Sequence, residues 1–599
     1  LHYKTFTWTD SKTIIELLKQ EPEVFIRDLG EAGKLQQLWF NGVDDRGITV
    51  SIDGRPMNDP LTGKFNLYHL ALEGLEYTEL LTGSRGVLAS PNSVGGAINA
   101  VSRHYNSLRP MTKIRYVQEP NETLLTDGLF TQNVARAMNL MFGFTRQASF
   151  GRYKNSALDE WNIRSRLRYN VSERLNVALT YFYTKAVNGM HGGVDPTAGG
   201  TAFDEKAATL VNEHASETDL RTDWTLSAIA HLLPDTSFTT QLVAYTTSLY
   251  HWYDQQGLGV VFPFTTGDTS EYAGVRLQQQ ARLGSARLLA GIQTEKRSAF
   301  GDHLAHQTDE SLSSLFARIE LPLGNLFTPS ISLRHETVDG DAKSSYGLRI
   351  RIQPSPSTTL FAEATSAFRF PTMQEMYWRD STLILARSRS SGLAASFTGE
   401  THKVVSAGAE FHSGEAASLS ATVYHRTVSN AIVAIPASTP SGATAARLVE
   451  VPEVSVEGFS GRAAFRFWNI ELLGSAAFSR YTEADTVKTL IPNIVLFGEA
   501  AYRNSLLNGA LEIRAGVRSR FENGHQAQQL LPIANVFYQS SLGEVGRHSV
   551  IDLFTVLHVG QAFISLTWQN ITNAKYVTTP IYPMPTRQVR LGVNWIFLD

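Results

Sequence analysis

The sequence predicts an all-β transmembrane protein. About 22 antiparallel strands close into an outer-membrane barrel, and a small N-terminal α+β domain plugs the lumen. Three observations carry this prediction. Apolar and polar residues alternate with a period of two through most of the chain. The polar face of many such segments carries rows of Arg and Gln. Short turns alternate with long polar links.

A period of two marks strands, because successive side chains point to opposite faces. In 162–171, Ile163, Ser165, Leu167, Tyr169 and Val171 oppose Asn162, Arg164, Arg166, Arg168 and Asn170. In 346–353, Tyr346, Leu348, Ile350 and Ile352 oppose Gly347, Arg349, Arg351 and Gln353. In 273–283, Val275, Leu277 and Leu283 oppose Arg276, Gln278, Gln280 and Arg282. The last segment sets Val589, Leu591, Val593, Trp595 and Phe597 against Arg590, Gly592 and Asn594. Rows of Arg do not suit a sandwich core. They suit a polar lumen whose outer wall faces lipid. A soluble sheet with one wet face explains any one strand. It does not explain hundreds of residues of the pattern with no helix to cover them.

The connections fit a barrel. Turn-like segments at 170–173, 233–236, 322–325, 354–357 and 413–415 alternate with long links near 187–220, 249–270, 367–402, 427–453 and 521–547. Short turns are expected on the periplasmic side and long loops outside. The segments from Thr112 to Phe597 number about 22, as in a barrel wide enough to need a plug.

Composition agrees. The 599 residues are 43% hydrophobic and 18% charged, with a net charge of -3. That balance gives no reason to expect nucleic acid as a partner. With no Cys, disulfide and thiolate chemistry are excluded. No apolar run reaches the length of a transmembrane helix. The chain opens on Leu1 and not Met, which raises the expectation that a leader has been removed.

The first hundred residues follow a different grammar. Residues 13–19 form a short amphipathic helix with Ile14, Leu17 and Leu18 on one side. Asp10 and Ser11 are its candidate N-caps, and Pro22 stops it. Short β-like runs follow at 38–40, 48–52 and 97–102, with tight turns expected at Asp53-Gly54 and Gly95-Gly96. We therefore place a plug domain at 1–109 and the barrel at 110–599.

These residues also resemble a known family. Leu17 to Gly30 looks like the opening of the plug of TonB-dependent receptors. Val50 to Pro60 resembles its central strand and Asp-Gly turn, and Asn92 to Ser102 its last strand. In the barrel, Ala367-Phe368-Arg369-Phe370-Pro371-Thr372 with Glu375-Met376-Tyr377 resembles the Phe-Arg-Ala-Pro motif and the Glu-Leu-Tyr after it. Gln569 to Tyr576 and Pro585-Thr586-Arg587 resemble the closing signature. The resemblance covers essentially the whole chain.

Two departures stand out. Asn41-Gly42 replaces the family's Arg-Gly, and Thr82-Gly83-Ser84 replaces its Arg-Gly-Pro. In the family those arginines join plug to barrel. Their absence points to a rewired lock or to a relative that has lost regulated transport. Leu1 to Thr9 do not look like the family's TonB box, through trimming or true loss.

The resemblance implies a bacterial outer-membrane receptor that takes up a scarce solute, such as a metal chelate, a corrinoid or an oligosaccharide. Its implied partners are outer-membrane lipid, an unknown small solute and, if the true N-terminus carries the box, an inner-membrane energy-coupling protein of the TonB type. The alternative is a non-transporting plugged barrel in an envelope complex. Because the corresponding plug segments face outward in the family, the expected solute contacts are Asn58, Asp59, Thr62, Lys64, Arg85 and Asn92.

Motifs for catalysis are scarce, so no enzyme activity, catalytic residue or cofactor is expected. His303 and His306 form a loop His-Xaa-Xaa-His beside Asp302 and Asp309. They are weak metal candidates, with a solvated loop as the plain alternative. His191 with Asp195, Asp204 and Glu205 could hold calcium, or simply lie in a mobile Gly-rich loop. Asp44-Asp45 reads as a polar plug turn. Tyr377 and Trp378 read better as an interfacial anchor than as a ligand platform.

Overall fold

The computed structural model describes residues 6–105, 109–195, 197, 202–233, 237–255, 264–304, 306–378, 385–388, 397–438, 444–482 and 490–598. Its wall is a closed antiparallel barrel of 22 strands. The first wall strand, Met111–Glu119, pairs with Thr123–Ala135 on one side. On the other it meets the last strand, Gln588–Leu598, from Leu591↔Gln118 to Leu598↔Met111. That closure removes the free edge, so backbone groups in lipid are all paired. One further short strand, Leu385–Ser388, lies parallel against Thr444–Phe467. It is an addition to the wall, since the strands flanking it in sequence, Thr358–Arg369 and Glu400–Ser413, pair directly with each other.

The alternation read from the sequence sorts side chains as lipid and lumen require. Val589 and Trp595 are 49% and 47% exposed on the outside, whereas Arg590 is 3% exposed. Tyr346, Leu348, Ile350 and Ile352 point outward, and Arg164, Arg166 and Arg276 are buried inward. Lipid contact rewards the first set, and the lumen supplies partners for the second. Val593→Arg should therefore cost about 2–4 kcal/mol where residue 593 lies near the bilayer midplane. Asn594→Leu and deletion of Leu598 and Asp599 should be tolerated, while Phe597→Ala should impair assembly. Heat-modifiable gel mobility of the membrane fraction reads all four. Parent-like assembly of Val593→Arg together with failure of Asn594→Leu would reverse the faces.

The short turns near 170–173, 322–325, 354–357 and 413–415 lie where expected, and the one at 233–236 falls largely outside the described residues, but several long links are not loops. Phe238–Gln255 and Phe264–Leu283 pair along their whole length, so only 256–263, outside the described residues, is left of that link. Ala417–Ser438 and Thr444–Phe467 run for 22 and 24 residues. At about 3.3 Å per residue the longer is far taller than the roughly 10 residues a membrane strand needs. The pair continues beyond its other wall partners with Leu385–Ser388 alongside, and Ile432, Ala446 and Leu448 on it are buried in an apolar cluster with the hairpin. The extensions lack a clean period of two, as in the apolar run at 431–437, because lipid imposes alternation only at its own depth. The link at 521–547 holds a hairpin, His525–Leu531 with Val536–Val545. Its Pro532–Ala534 turn and Asn535 fold inward onto the plug.

In the plug, the helix spans Ile14–Leu18 and its N-cap is Thr13, not Asp10 or Ser11. Asp10 is committed elsewhere, to Arg518 at 2.9 Å and to Thr567. A three-stranded sheet (Val24–Arg27, Gln37–Phe40, Val43–Asp44) accompanies a four-stranded one. The latter runs in the order Arg55–Pro56, Ile48–Ile52, Gly96–Ser102, Leu75–Leu81, with the middle pair parallel. Asp53 and Gly54, at φ 52° and 80°, make the expected hairpin turn. Gly95-Gly96 does not turn the chain between strands. Gly96 opens a strand at φ 137°, where a Cβ would lie 2.6 Å from the Leu81 carbonyl and from the Phe40 ring. Close packing, not a turn, demands the glycine there. The last plug strand ends at Ser102 and the first wall strand begins at Met111.

Plug and wall meet largely through charge. Lys12 pairs with Glu119 at 2.5 Å, Glu16 with Arg590 at 2.8 Å, and Arg55 with Asp223 at 2.5 Å. Glu73 joins both Lys113 and Arg115, and Glu21 joins Arg462. Lys113 and Arg115 hold the Glu73 carboxyl down at about 2 against the effect of burial. Apolar contact is local, as where Phe25 and Trp39 pack on Val428, Val454 and Val456.

Candidate functional site

A cavity of about 110 Å³ separates the plug loop around 59–69 from the barrel wall. It lies toward the long-loop end of the strands, and Ile533, Ala534 and Asn535 of the inward hairpin line it too. The loop is braced by Asn58. Its Oδ1 accepts from Val50 N at 2.8 Å, and its Nδ2 donates to the carbonyls of Ile48 and Gly63 at 2.9 and 2.8 Å. Asp59 accepts from Leu61 N, from Thr62 Oγ1 and, across to the wall, from Ser270 Oγ at 2.6 Å. Lys64 Nζ donates to the Asn535 carbonyl at 2.6 Å.

Of the six sequence candidates, Asp59, Thr62 and Lys64 line this cavity, and Asn58 supports them from behind. Arg85 and Asn92 lie elsewhere. Arg85 is exposed on Gly83–Gly86, beside Ser84, which bonds Arg318 near the short-turn end of the wall. Asn92, at φ 65°, accepts from Phe370 N at 2.8 Å and so ties plug to wall.

His303 and His306 are not brought together. His303 is buried, 2.8 Å from Asp268, and His306 is exposed. The acids near His191 also have separate partners. His191 meets Glu31 at 2.9 Å, Glu205 meets Arg152 at 2.8 Å, and Asp195 and Asp204 cap their own turns. Trp378 is not an interfacial anchor. It is 3% exposed and stacks on His303 at 4.3 Å inside the barrel. Asp44 pairs with Arg46 at 2.5 Å. Asp45 is buried, neither of its oxygens has a hydrogen-bond partner among the described residues, and burial pushes its carboxyl up to about 6.

Sequence reasoning missed the imidazole–carboxylate pairs around the cavity. His69 lies 2.9 Å from Glu160, His251 lies 2.8 Å from Asp219, and His303 pairs with Asp268. Burial opposes charge on His69, yet Glu160 outweighs it and raises its pKa. Above them the hairpin is seated by Gln374 Nε2 on the Ala534 carbonyl at 2.7 Å and by Arg27 on Gln528. An apolar cluster including Leu29, Trp378, Leu531, Ile533 and Phe537 completes that seat. Burial and the nearby Arg27 push His525, in the hairpin, down to about 3, so it stays neutral. A second cavity, of about 280 Å³, lies between the plug helix and the wall beside Arg520, Glu522 and His548.

At the two altered positions the plug meets the wall without an arginine. Asn41 turns at φ 46°, with Gly42 against Tyr481 and Val456. Gly83 abuts Glu363, which accepts from Ser84 N. The arginine contact comes instead from Arg46, at 2.6 Å from Glu375. Glu375 also meets Arg369, which in turn meets Glu400, both at 2.8 Å. Thr372 and Glu375 form a capping box that fixes this carboxylate in place.

Two family models match this architecture. Residues 116–594 match "TonB dependent receptor-like, beta-barrel", and residues 5–97 match "TonB-dependent Receptor Plug Domain". The chain belongs to the TonB-dependent receptor family. As a member of that family it is an outer-membrane protein. Its relatives include the vitamin B12 transporter BtuB of Vibrio vulnificus (strain YJ016), 22% identical over 399 residues. That match covers 62% of this chain and spans 59% of the relative's length. Among solved structures, the copper transporter OprC is similar with a TM-score of 0.82 at 14% identity, covering 99% of this chain and 96% of that one. The siderophore receptor PirA from Acinetobacter baumannii gives 0.76 at 13% identity, covering 100% and 98%. At these identities the structural likenesses show the fold of this TonB-dependent receptor.

Proposed function

We propose that this receptor takes up a scarce solute across the outer membrane, driven by an inner-membrane partner of the TonB type that pulls on the plug. The observation that carries this reading is the nature of the plug–wall contact. It is built mainly of ion pairs and hydrogen bonds in a polar lumen, such as Glu16–Arg590 and Arg55–Asp223. Water can replace such contacts at little net cost, so the plug can shift without exposing a large apolar face. A metal chelate or a corrinoid is supported by what the relatives are named for, and an oligosaccharide fits the same architecture. Outer loops and the Asp59–Lys64 loop bind the solute. Uptake needs no covalent step, so the residues that matter are contacts and hinges.

The test is accumulation of labelled cyanocobalamin, copper(II), a ferric siderophore and a maltooligosaccharide by cells expressing the receptor, with and without the proton-motive force. One of these should accumulate only in energised cells. Asp59→Ala with Lys64→Met should lower that accumulation about tenfold, as expected for loss of charge-assisted hydrogen bonds. Arg85→Ala should not. If none accumulates although folded receptor is present, the chain is a non-transporting plugged barrel.

A further inference from the structure

We propose that Glu217, Asp219 and His251 bind a divalent first-row transition-metal ion on the outward side of the plug. All three face the lumen from two neighbouring strands, Ala215–His231 and Phe238–Gln255. The register places Asp219 directly opposite His251, with Glu217 two residues along on the same face. One ligand atom from each residue lies within 4.8 Å of the other two. His251 Nδ1 is 2.8 Å from Asp219 Oδ1 and 3.6 Å from Glu217 Oε1. Small side-chain shifts bring such a set to metal–ligand distances of about 2.0–2.2 Å.

A further observation points to an ion. Asn535 donates from Nδ2 to Glu217 Oε1 at 3.0 Å, and its own buried Oδ1 lacks a partner among the described residues. It offers an additional oxygen from the hairpin above.

Charge agrees. Asp219, Asp268 and Asp59 all line the cavity, and Glu217 borders it through Asn535. The cations that face it are spoken for. Arg221 is held by Asp223 at 2.6 Å and His69 by Glu160, while Lys64 and, near Glu217, Lys34 each donate to a backbone carbonyl. Two carboxylates beside one imidazole leave a negative surplus that a dication removes. Imidazole with carboxylates suits Zn, Mn, Fe, Ni or Cu(II), whereas soft thiolate ligation is impossible in a chain with no Cys. The cavity's roughly 110 Å³ is ample for an ion and its bound waters.

Binding at this site stands independently; only the ion's role as cargo rests on the uptake reading. The experiment uses the full chain, purified in detergent and stripped with chelator, titrated calorimetrically with Zn²⁺ and Mn²⁺. Cu²⁺ electron paramagnetic resonance reports nitrogen ligation. One saturable site per chain is expected, with one imidazole nitrogen coupled to Cu²⁺. Glu217→Gln and Asp219→Asn should each weaken binding about 10–100-fold. His251→Gln should remove the nitrogen signal, and His306→Gln should change nothing. Heat-modifiable mobility confirms that each variant is folded. Absence of saturable binding by all three ions, or binding indifferent to His251→Gln in a folded variant, overturns the site. Uptake of another solute with no cation binding would sink this inference alone, and cation binding without energised uptake would sink the transport reading alone.

Discussion

Deletion of residues 1–105 should turn a closed barrel into an open pore. A 22-stranded wall encloses a lumen too wide for its own side chains to fill, so the plug is what blocks it. The wall does not need the plug to close, because Gln588–Leu598 pairs directly with Met111–Glu119. Arg518, Arg115 and Arg590 would lose their plug partners, but into water and not into a dry core. The barrel should therefore survive while the inward hairpin loses its seat on Lys64 and Arg27. Single-channel recording in planar bilayers should show conductance rising by about tenfold or more over the intact protein. Equal conductance before and after deletion would mean that the plug does not seal the lumen.

The second large effect is expected at Arg369. Its side chain is 1% exposed and lies between Glu375 and Glu400, each at 2.8 Å. Arg369→Ala leaves two buried carboxylates with Arg46 and His402 as side-chain partners, beside the backbone N–H groups of Thr372 and Ile432. Stranding buried charge in this way costs about 3–5 kcal/mol. The temperature at which the folded gel band disappears should fall sharply, and Arg369→Lys should recover part of the loss. Adding Glu400→Gln to Arg369→Ala should also restore stability, since the stranded charge is then removed. A parent-like transition in Arg369→Ala would show that the network is solvated and contributes little.

Much of this architecture is legible in the sequence because lipid is an unforgiving solvent. It forces Val589, Leu591 and Trp595 to one side and Arg590 and Asn594 to the other, and the period of two follows. Beyond lipid depth that constraint ends. The extended ends of Ala417–Ser438 and Thr444–Phe467 and the His525–Val545 hairpin therefore carry no clean alternation. The helix cap was misplaced because Asp10 has the right side chain for a cap but spends it on Arg518, a partner 508 residues away. Trp378 was misread for a similar reason: its stacking on His303 is a contact between distant segments. Three of the six expected solute contacts, Asp59, Thr62 and Lys64, line one cavity because they share a single plug loop. The Glu217–Asp219–His251 cluster was not found, although a signal existed. Asp219 and His251 are equally far along the chain from Asp235, the middle of the turn the sequence predicts, so a symmetric hairpin places them opposite one another.

The order of the plug's ionic contacts along the chain has a mechanical consequence. Asp10, Lys12, Glu16 and Glu21 each grip a different wall residue, namely Arg518, Glu119, Arg590 and Arg462. They succeed one another within a single short stretch near the start of the domain. A tension applied from that end loads them one after another, not all at once. Rupture then proceeds like a zip, and the peak force is set by one contact while the work is the sum of them all. A weak pull sustained over distance suffices where a brief strong one would otherwise be needed.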